Sequence, residues 1–295
     1  MHKVGILFVA IFLLPMRVVL AEDAKTRFKI DSHYHYRNTA DFIEKTVKEY
    51  RKYNTMACVL TPSEAIDKIK KAIRQYPDVF IGYGSIKLDD PQALEKIDRF
   101  YAAGFKGIGE LSRPLKNFHN PKYFPIYERL QLYGLAALFH TGIVSRRNPD
   151  VPQYSSMDRM RPAYVDLIAR RFPRLVIHTA HLGNPWYEEA AEALRWNPNL
   201  YSDVTGSSLL KKANHPQFWG EILWWRPSLA TRHSPSGGDH AFGKIVFATD
   251  EGPEGLLPNI ERFEKFLEAN HVPEEVRKKC WSGTFAKILG VTPRK

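Results

Sequence analysis

Two histidines stand two residues apart in FKIDSHYHY, residues 28–36, directly after an apolar start. In an extended strand, residues two apart share one face, so Asp31, His33 and His35 would lie on the same side. Imidazole nitrogen is a suitable ligand for Zn²⁺ and comparable divalent ions. The pair therefore forms half of a candidate metal site. The alternative is a polar strand end without a ligand role, and the rest of the chain must supply the other half.

Further side chains of this kind end other short apolar runs. Chance should scatter the chain's eleven histidines over loops and helix faces, yet several of them end such runs. The end positions are Glu110 after FKGIG, His140 after LAALF, His181 after LVIHTA and Asp250 after KIVFAT. A catalytic metal site needs three or four such ligands and one open position for water. A metal ion bound there would lower the pKa of that water toward about 7.

Short apolar runs alternate with longer amphipathic segments along the chain. The predicted strands cover residues 28–34, 55–60, 79–87, 105–111, 135–140, 174–181, 200–205 and 244–250. The predicted helices cover residues 40–53, 63–75, 91–103, 122–133, 158–172, 185–196, 256–270 and 273–289. Between 206 and 243 the only signal is for a loop, near residues 234–238.

Eight strands that alternate with helices predict a single-domain α/β fold, the (β/α)8 barrel. The C-terminal ends of the parallel strands meet at one face of such a barrel, and function is found there. This fold would therefore bring the ligand candidates together, although they are far apart in the sequence.

Length and composition fit one globular domain behind a targeting segment. The 295 residues are 44% hydrophobic and 25% charged, which argues against disorder. Residues 1–21 have a basic start, an apolar stretch and a small residue at Ala21, so they predict a cleaved signal peptide. The alternative is a membrane anchor, but the apolar run is shorter than the ~20 residues that a spanning helix needs. Residues 22–295 then form the barrel domain of an exported protein, periplasmic or secreted.

The charge balance favours anionic partners. The formal net charge is +11 at pH 7, and a positive field attracts nucleic acid, acidic sugars or small carboxylates. Arg37, Arg113 and Arg146 follow candidate strands closely, and guanidinium groups suit the carboxylate or phosphate of a substrate. The alternative for each arginine is a solvated surface role. The two cysteines, Cys58 and Cys280, exclude a disulfide framework and leave their pairing open.

Four motifs, in the order DSHYHY, FHTG, LVIHTAHLGNPW and KIVFATD, resemble those of the amidohydrolase superfamily. More narrowly, they are similar to the amidohydrolase-related branch that includes aminocarboxymuconate-semialdehyde decarboxylase and resorcylate decarboxylase. The resemblance runs from about Lys29 to the end of the chain. It implies a metal-dependent enzyme with a TIM-barrel fold.

The resemblance implies a role for each motif residue. His33 and His35 match the paired metal ligands of the first strand, and His140 matches the ligand of the fifth. His181 matches a sixth-strand histidine that polarises the substrate or activates water. Asp250 matches an eighth-strand aspartate that binds the metal and shuttles a proton.

Two further residues do not follow the pattern of that branch. Glu110 is similar to the glutamate of TatD-type deoxyribonucleases, which helps to bind a pair of metal ions. The resemblance therefore leaves open whether this site holds one metal ion or two. Alternatively, Glu110 forms a hydrogen bond with a metal ligand, or it belongs to an ion pair without a role in metal binding. His178 lies three residues before His181, and we expect it to face the other side of its strand, in the core or on the barrel exterior.

The predicted function is an exported, metal-dependent hydrolase that cleaves a small, anionic amide, ester or lactone with metal-activated water. The expected cofactor is one divalent metal ion, with Zn²⁺ as the first choice. Glu110 would allow a second ion to bind. The alternatives are a decarboxylase of the same branch, a TatD-type nuclease and a non-catalytic, metal-stabilised binding protein. We expect a small-molecule substrate as the partner, without nucleic acid and without a membrane anchor after signal cleavage, and a homodimer is left open.

Overall fold

A computed structural model describes residues 24–145, 156–224 and 241–292. Seven strands form one parallel sheet in which spatial neighbours follow the chain order. They are β1 (Lys29–His35), β2 (Thr55–Thr61), β3 (Phe80–Gly84), β4 (Gly107–Leu111), β5 (Ala136–His140), β6 (Ile177–Ala180) and β7 (Leu200–Ser202). The prediction of a parallel α/β architecture is confirmed for these seven strands.

Helices connect the strands, as parallel neighbours require. They are α1 (Phe42–Lys52), α2 (Ile66–Gln75), α3 (Ala93–Ala102), α4 (Phe124–Tyr133), α5 (Pro162–Arg171), α6 (Tyr187–Trp196), α7 (Ser207–Lys211), α8 (Gln217–Leu223), α9 (Leu256–Ala269), α10 (Glu274–Lys278) and α11 (Thr284–Leu289). Their buried residues follow the helical period, as Ile66, Ile69 and Ala72 do in α2. The amphipathic segments of the sequence therefore cover the outside of the sheet.

Two helical predictions need correction. Residues 206–224, where only a loop signal was found, contain the short helices α7 and α8, and the loop predicted near 234–238 lies outside the described residues. The single helix predicted over 273–289 consists of α10, a π-helical turn (Lys279–Gly283) and α11.

The predicted eighth strand, 244–250, is not a regular strand in the structure. Ile245 forms one parallel bridge with Ser202 of β7. The following segment bonds to both edges of the sheet, from Val246 N to Ser202 O at 2.9 Å and from Ser32 N to Phe247 O at 3.0 Å. Asp250 has φ 58°, a left-handed conformation that ends the extended run. The seven-stranded sheet is therefore shown, and the closed eight-stranded barrel stays a prediction.

The strands are buried on both faces. One large apolar cluster lies between the sheet and the helices, and a smaller one includes Ile30, Cys58, Tyr83 and Leu138. Burial on both sides explains why the strands read as continuous apolar runs. Cys58 is a small core residue, and both cysteines, whose pairing was left open, are buried free thiols.

The membrane and export predictions concern the beginning of the chain. In the parts that the structure describes, every helix is too short or too polar to cross a bilayer. The predicted signal peptide, residues 1–21, lies outside the described residues and stays a prediction.

Candidate metal centre

The ligand candidates meet at the C-terminal ends of the parallel strands. His33 and His35 close β1, Glu110 lies in β4 and His140 ends β5. His181 follows β6 directly, and Asp250 ends the segment after β7. The sheet therefore gathers side chains that the sequence separates by more than 200 positions.

One half of the centre is formed by the first-strand histidines and Asp250. His33 Nε2 lies 3.3 Å from His35 Nε2. Asp250 Oδ1 lies 3.2 Å from the first of these nitrogens and 3.0 Å from the second. Three ligand atoms from two distant segments thus face one another at the spacing of atoms that share one ion.

Glu110 joins this half to the other one. Its Oε1 atom lies 2.6 Å from His140 Nδ1 and 3.6 Å from His181 Nε2. The same oxygen lies 3.8 Å from His33 Nε2. Two overlapping sets of ligand atoms within 4.8 Å of one another can hold a metal ion, namely His33, His35 and Glu110, and Glu110, His140 and His181.

The outer nitrogens of the ligand rings face groups that accept hydrogen bonds. His33 Nδ1 lies 3.3 Å from Asp203 Oδ2, and His140 Nε2 lies 2.9 Å from the carbonyl oxygen of Ile143. A carbonyl or carboxylate oxygen only accepts, so each outer nitrogen must carry the proton. Whenever such a ring is neutral, its inner nitrogen presents a lone pair to the carboxylate of Glu110. Lone pairs converge on carboxylate oxygens only when a proton or a metal ion lies between them.

The pKa shifts of the ligand candidates also indicate that the two carboxylates favour a positive charge beside them. Burial raises the pKa of Glu110, but His33 and His140 outweigh this and hold it well below its usual range. The pKa of Asp250 is also lowered, because the same His33 and a bond from His35 outweigh its burial. Burial lowers the pKa of His33, yet the two carboxylates raise it to about 10. A divalent cation could replace the protons that the carboxylates otherwise attract, so this donor set fits a metal ion.

A comparison with protein families decides where the chain belongs. A family model for amidohydrolases matches residues 35–251, which is most of the chain. The chain belongs to the amidohydrolase family. The predicted resemblance is confirmed, and so is the prediction of an enzyme of this family. Among curated protein sequences, none matches this amidohydrolase.

Solved structures share the fold of this amidohydrolase at low sequence identity. The uncharacterized TIM-barrel protein Bb4693 from Bordetella bronchiseptica has a TM-score of 0.59 and 16% identity, covering 98% of this chain and 95% of its own. A 5-carboxyvanillate decarboxylase from Novosphingobium aromaticivorans with bound manganese has a TM-score of 0.57 and 13% identity, and the match covers 91% of this chain and 99% of that one. A probable 2-pyrone-4,6-dicarboxylic acid hydrolase from Acinetobacter baumannii with bound citric acid has a TM-score of 0.57 and 12% identity, and the match covers 89% of this chain and 99% of that one. At such identities the comparison shows a common fold and leaves the reaction open.

The predicted substrate-binding arginines of the amidohydrolase lie at different places. Arg37 is exposed and its guanidinium lies against Gly252, where an added Cβ would come within 2.7 Å of Cζ. Arg113 donates from Nη2 to the carbonyl of Ser145 at 3.1 Å. Arg146 lies outside the described residues. The role of each arginine in binding stays a prediction.

Asp203 is a buried carboxylate that the sequence analysis of this amidohydrolase did not select. It follows the three-residue strand β7, and its Oδ2 atom faces both His33 Nδ1 and, at 3.0 Å, His178 Nε2. His178 is fully buried, so it lies in the core, one of the two places predicted, but it faces Asp203 on the side of the ligands and not the other side of its strand. Strand alternation failed because β6 stops at Ala180 and His181 turns into a left-handed conformation with φ 66°. Asp203 is the one charged residue within the predicted strand 200–205, and this was the available signal.

Asp31 does not share a face with the ligands, contrary to the strand pattern. The pairing of β1 with β2 shifts register between Asp31 and Tyr34, which breaks the alternation. Asp31 is fully buried and accepts hydrogen bonds from Tyr50 Oη at 2.6 Å and from Thr249 Oγ1 at 2.7 Å. It also accepts from the backbone N–H groups of Thr249 and His33. Asp31 thus fastens β1 to the residue before Asp250.

Proposed function

We propose that this amidohydrolase is a metal-dependent hydrolase of a small, anionic substrate. The observation that carries the proposal is the convergence of the inner histidine nitrogens on the ionised carboxylates of Glu110 and Asp250 at the C-terminal end of the sheet. Bound manganese in a decarboxylase of similar fold supports a divalent ion as the cofactor.

The proposed ion is Zn²⁺, held by His33, His35, His140 and Asp250. Glu110 lies between the two ligand sets, so it is the residue that would take part in a second ion. A bound divalent cation would polarise the substrate and lower the pKa of a water molecule toward about 7.

In the proposed reaction, the carboxylate of Asp250 moves the proton. Its Oδ1 atom faces the first-strand histidines, and its Oδ2 atom lies 3.9 Å from His181 Nε2. Because its pKa is lowered, Asp250 is ionised at neutral pH and can accept a proton from the attacking water. It would return that proton to the leaving group, while His181 orients the reacting group from the opposite side.

A decarboxylase is the second candidate, and the comparisons support it equally. Decarboxylases of 5-carboxyvanillate and 2,6-dihydroxybenzoate share the fold, as a probable pyrone dicarboxylate hydrolase does. One ligand set serves either reaction, because the shape of the pocket decides which bond breaks. Arg37 would hold the substrate carboxylate in both cases.

Export, the partner and the oligomeric state belong to the same proposal. We infer an exported protein, periplasmic or secreted, with a small-molecule substrate and without nucleic acid or a membrane anchor. A TatD-type nuclease would instead bind nucleic acid with a steep salt dependence, because each phosphate contact releases counterions. A binding protein with a structural metal would lose thermal stability when a chelator removes the metal, and it would show no turnover even with the metal bound. A homodimer remains a proposal that sedimentation can test.

The deciding experiment measures metal content and two reactions on one preparation. The purified protein, loaded with Zn²⁺ or Mn²⁺, is offered a carboxylated lactone (2-pyrone-4,6-dicarboxylate) and the aromatic acids 5-carboxyvanillate and 2,6-dihydroxybenzoate. We expect acid release from the lactone without carbon dioxide, and loss of both metal and activity in His140→Ala. The matched control is Glu251→Gln, an exposed carboxylate beside Asp250. Carbon dioxide release from an aromatic acid would favour the decarboxylase, and a metal-free wild type would contradict both candidates.

A further inference from the structure

The hydroxyl of Thr205 lies between a ring of the centre and a buried carboxylate. Thr205 Oγ1 is 3.0 Å from His181 Nδ1 and 2.6 Å from Asp203 Oδ1. Asp203 Oδ1 also faces the backbone N–H groups of His181 and Thr205, which can only donate, so this oxygen is an acceptor. The single hydroxyl proton of Thr205 must therefore point to Asp203. The hydroxyl oxygen is left to accept from His181, which places a proton on Nδ1.

Burial leaves these groups no alternative partners in water. Asp203 is completely buried, Thr205 is 5% exposed and His181 is 8% exposed. Asp203 Oδ1 also accepts from the backbone N–H groups of His181 and Thr205, each at 2.9 Å. One carboxylate oxygen thus fixes the backbone of the histidine and, through the threonine, the proton on its ring.

The backbone next to Thr205 is shaped to fit the ring. Gly206 has φ 63°, and a Cβ atom there would lie 3.1 Å from His181 Nδ1. A side chain at Gly206 would therefore crowd the nitrogen that donates to Thr205. The glycine leaves room for this one hydrogen bond.

We infer that Thr205 and Asp203 are positioning residues that keep the proton of His181 on Nδ1. In the neutral ring, Nε2 then presents a lone pair toward Glu110 at 3.6 Å and Asp250 at 3.9 Å. His181 accordingly enters the proposed reaction as a ligand or a proton acceptor, and it donates from Nε2 only after taking up a proton. This consequence rests on the proposed function, whereas the proton position does not. Of the two predicted roles of His181, polarising the substrate or activating water, a neutral ring with its proton on Nδ1 favours the second, since Nε2 can accept a proton from water.

The test observes the ring proton directly in protein labelled with ¹⁵N-histidine. The Nδ1 proton is present in the neutral tautomer and in the charged ring, so the measurement needs neither metal nor substrate. We expect a His181 Nδ1–H signal, assigned by its loss in His181→Gln, that exchanges slowly with water. Thr205→Val should speed this exchange about tenfold or more, since about 1.4 kcal/mol of hydrogen-bond energy corresponds to tenfold. Thr205→Ser keeps the hydroxyl and should restore slow exchange.

The matched control is Ser208→Ala. Ser208 Oγ donates to the backbone carbonyl of His181 at 2.7 Å, so this variant removes a buried bond to the same residue without touching its ring. We expect the Nδ1–H signal to persist there. A wild-type protein without a protected Nδ1–H would overturn the inference by itself, even if Thr205→Val does not fold. Zn²⁺ titration of the same samples separates the two proposals, because a protected Nδ1–H in a chain that binds no Zn²⁺ supports this inference and removes the hydrolase.

Discussion

Glu110 Oε1 and His140 Nδ1 lie 2.6 Å apart, while the other ring nitrogen of His140 faces the carbonyl of Ile143. A neutral ring that donates to a carbonyl has no second proton for the carboxylate. The short contact therefore marks a place where a proton or a metal ion is held between the two side chains. Because His181 and His33 face the same oxygen, Glu110 is the residue on which the two halves of the centre converge.

Glu110→Gln should weaken metal binding. An amide keeps the size of the carboxylate and removes the negative charge, so Zn²⁺ affinity should fall about 10-fold to 100-fold. Competition with a chromophoric chelator measures this affinity, and metal analysis counts the ions per chain. Glu251→Gln is the control, since that carboxylate is exposed. Equal affinity and stoichiometry in both variants would show that Glu110 takes no part in binding.

The metal-free protein should depend on pH through His33. The folded pKa of His33, about 10, lies above the ordinary value of 6.5, so its contribution to stability is complete below about pH 6.5 and is lost as the pH rises toward 10. The stability gap between wild type and His33→Gln should therefore shrink by about 3 kcal/mol between pH 6.5 and pH 9.

Urea unfolding with a chelator present measures that gap. Burial lowers the pKa of Lys244 to about 7, and this lysine titrates in the same range with the opposite sign in both proteins. Comparison with the variant therefore isolates His33. A gap that stays constant across the range would contradict the prediction.

Asp31→Ala should destabilise the fold far more than Asp31→Asn. Alanine leaves two backbone N–H groups and the hydroxyls of Tyr50 and Thr249 without their acceptor, at a cost of about 3 kcal/mol or more. Asparagine keeps one carbonyl oxygen for the N–H groups, and both hydroxyls can rotate to accept from its amide, so we expect a loss below about 1.5 kcal/mol. Chemical denaturation compares the two. If the two losses are equal, the negative charge and not the pattern of acceptors maintains the contact.

Arg37→Met should raise KM for an anionic substrate about tenfold or more and leave kcat nearly unchanged, since a charge-assisted bond is worth about 1.5–3 kcal/mol. Gly252→Ala should act in the same direction, because its Cβ would push the guanidinium away. Arg74→Met is the control, since that exposed arginine lies in the last turn of α2 and is not a substrate-binding candidate. Steady-state kinetics on the substrate found in the screen gives both constants. An effect confined to kcat would assign Arg37 a different role.

The residues of this amidohydrolase that could be predicted from the sequence are those whose spacing and side-chain chemistry indicate the same role. His33 and His35 alternate at the end of an apolar run, and His140 ends another, so strand periodicity was enough to place them. The seven parallel strands followed from the same apolar runs. Glu110 was selected with its role left open, and its position between the two ligand sets is visible only in three dimensions.

The residues that were missed act through geometry that periodicity does not encode. The register shift at Asp31 and the left-handed turn at His181 each break the alternation on which the side-chain directions were predicted. Asp203 follows a strand of only three residues, too short for a pattern. The proton on His181 depends on what Thr205 touches, which no spacing in the sequence reveals.

The bond between Asp31 and Thr249 joins positions 218 residues apart. A chain still emerging from the ribosome can display His33 and His35 long before the carboxylate of Asp250 has been translated. Such a nascent chain has only a fragment of the binding site, with its imidazoles open to any passing cation. Loading of the proposed centre with one selected ion would therefore wait until synthesis is nearly finished and β1 has met the segment that ends at Asp250.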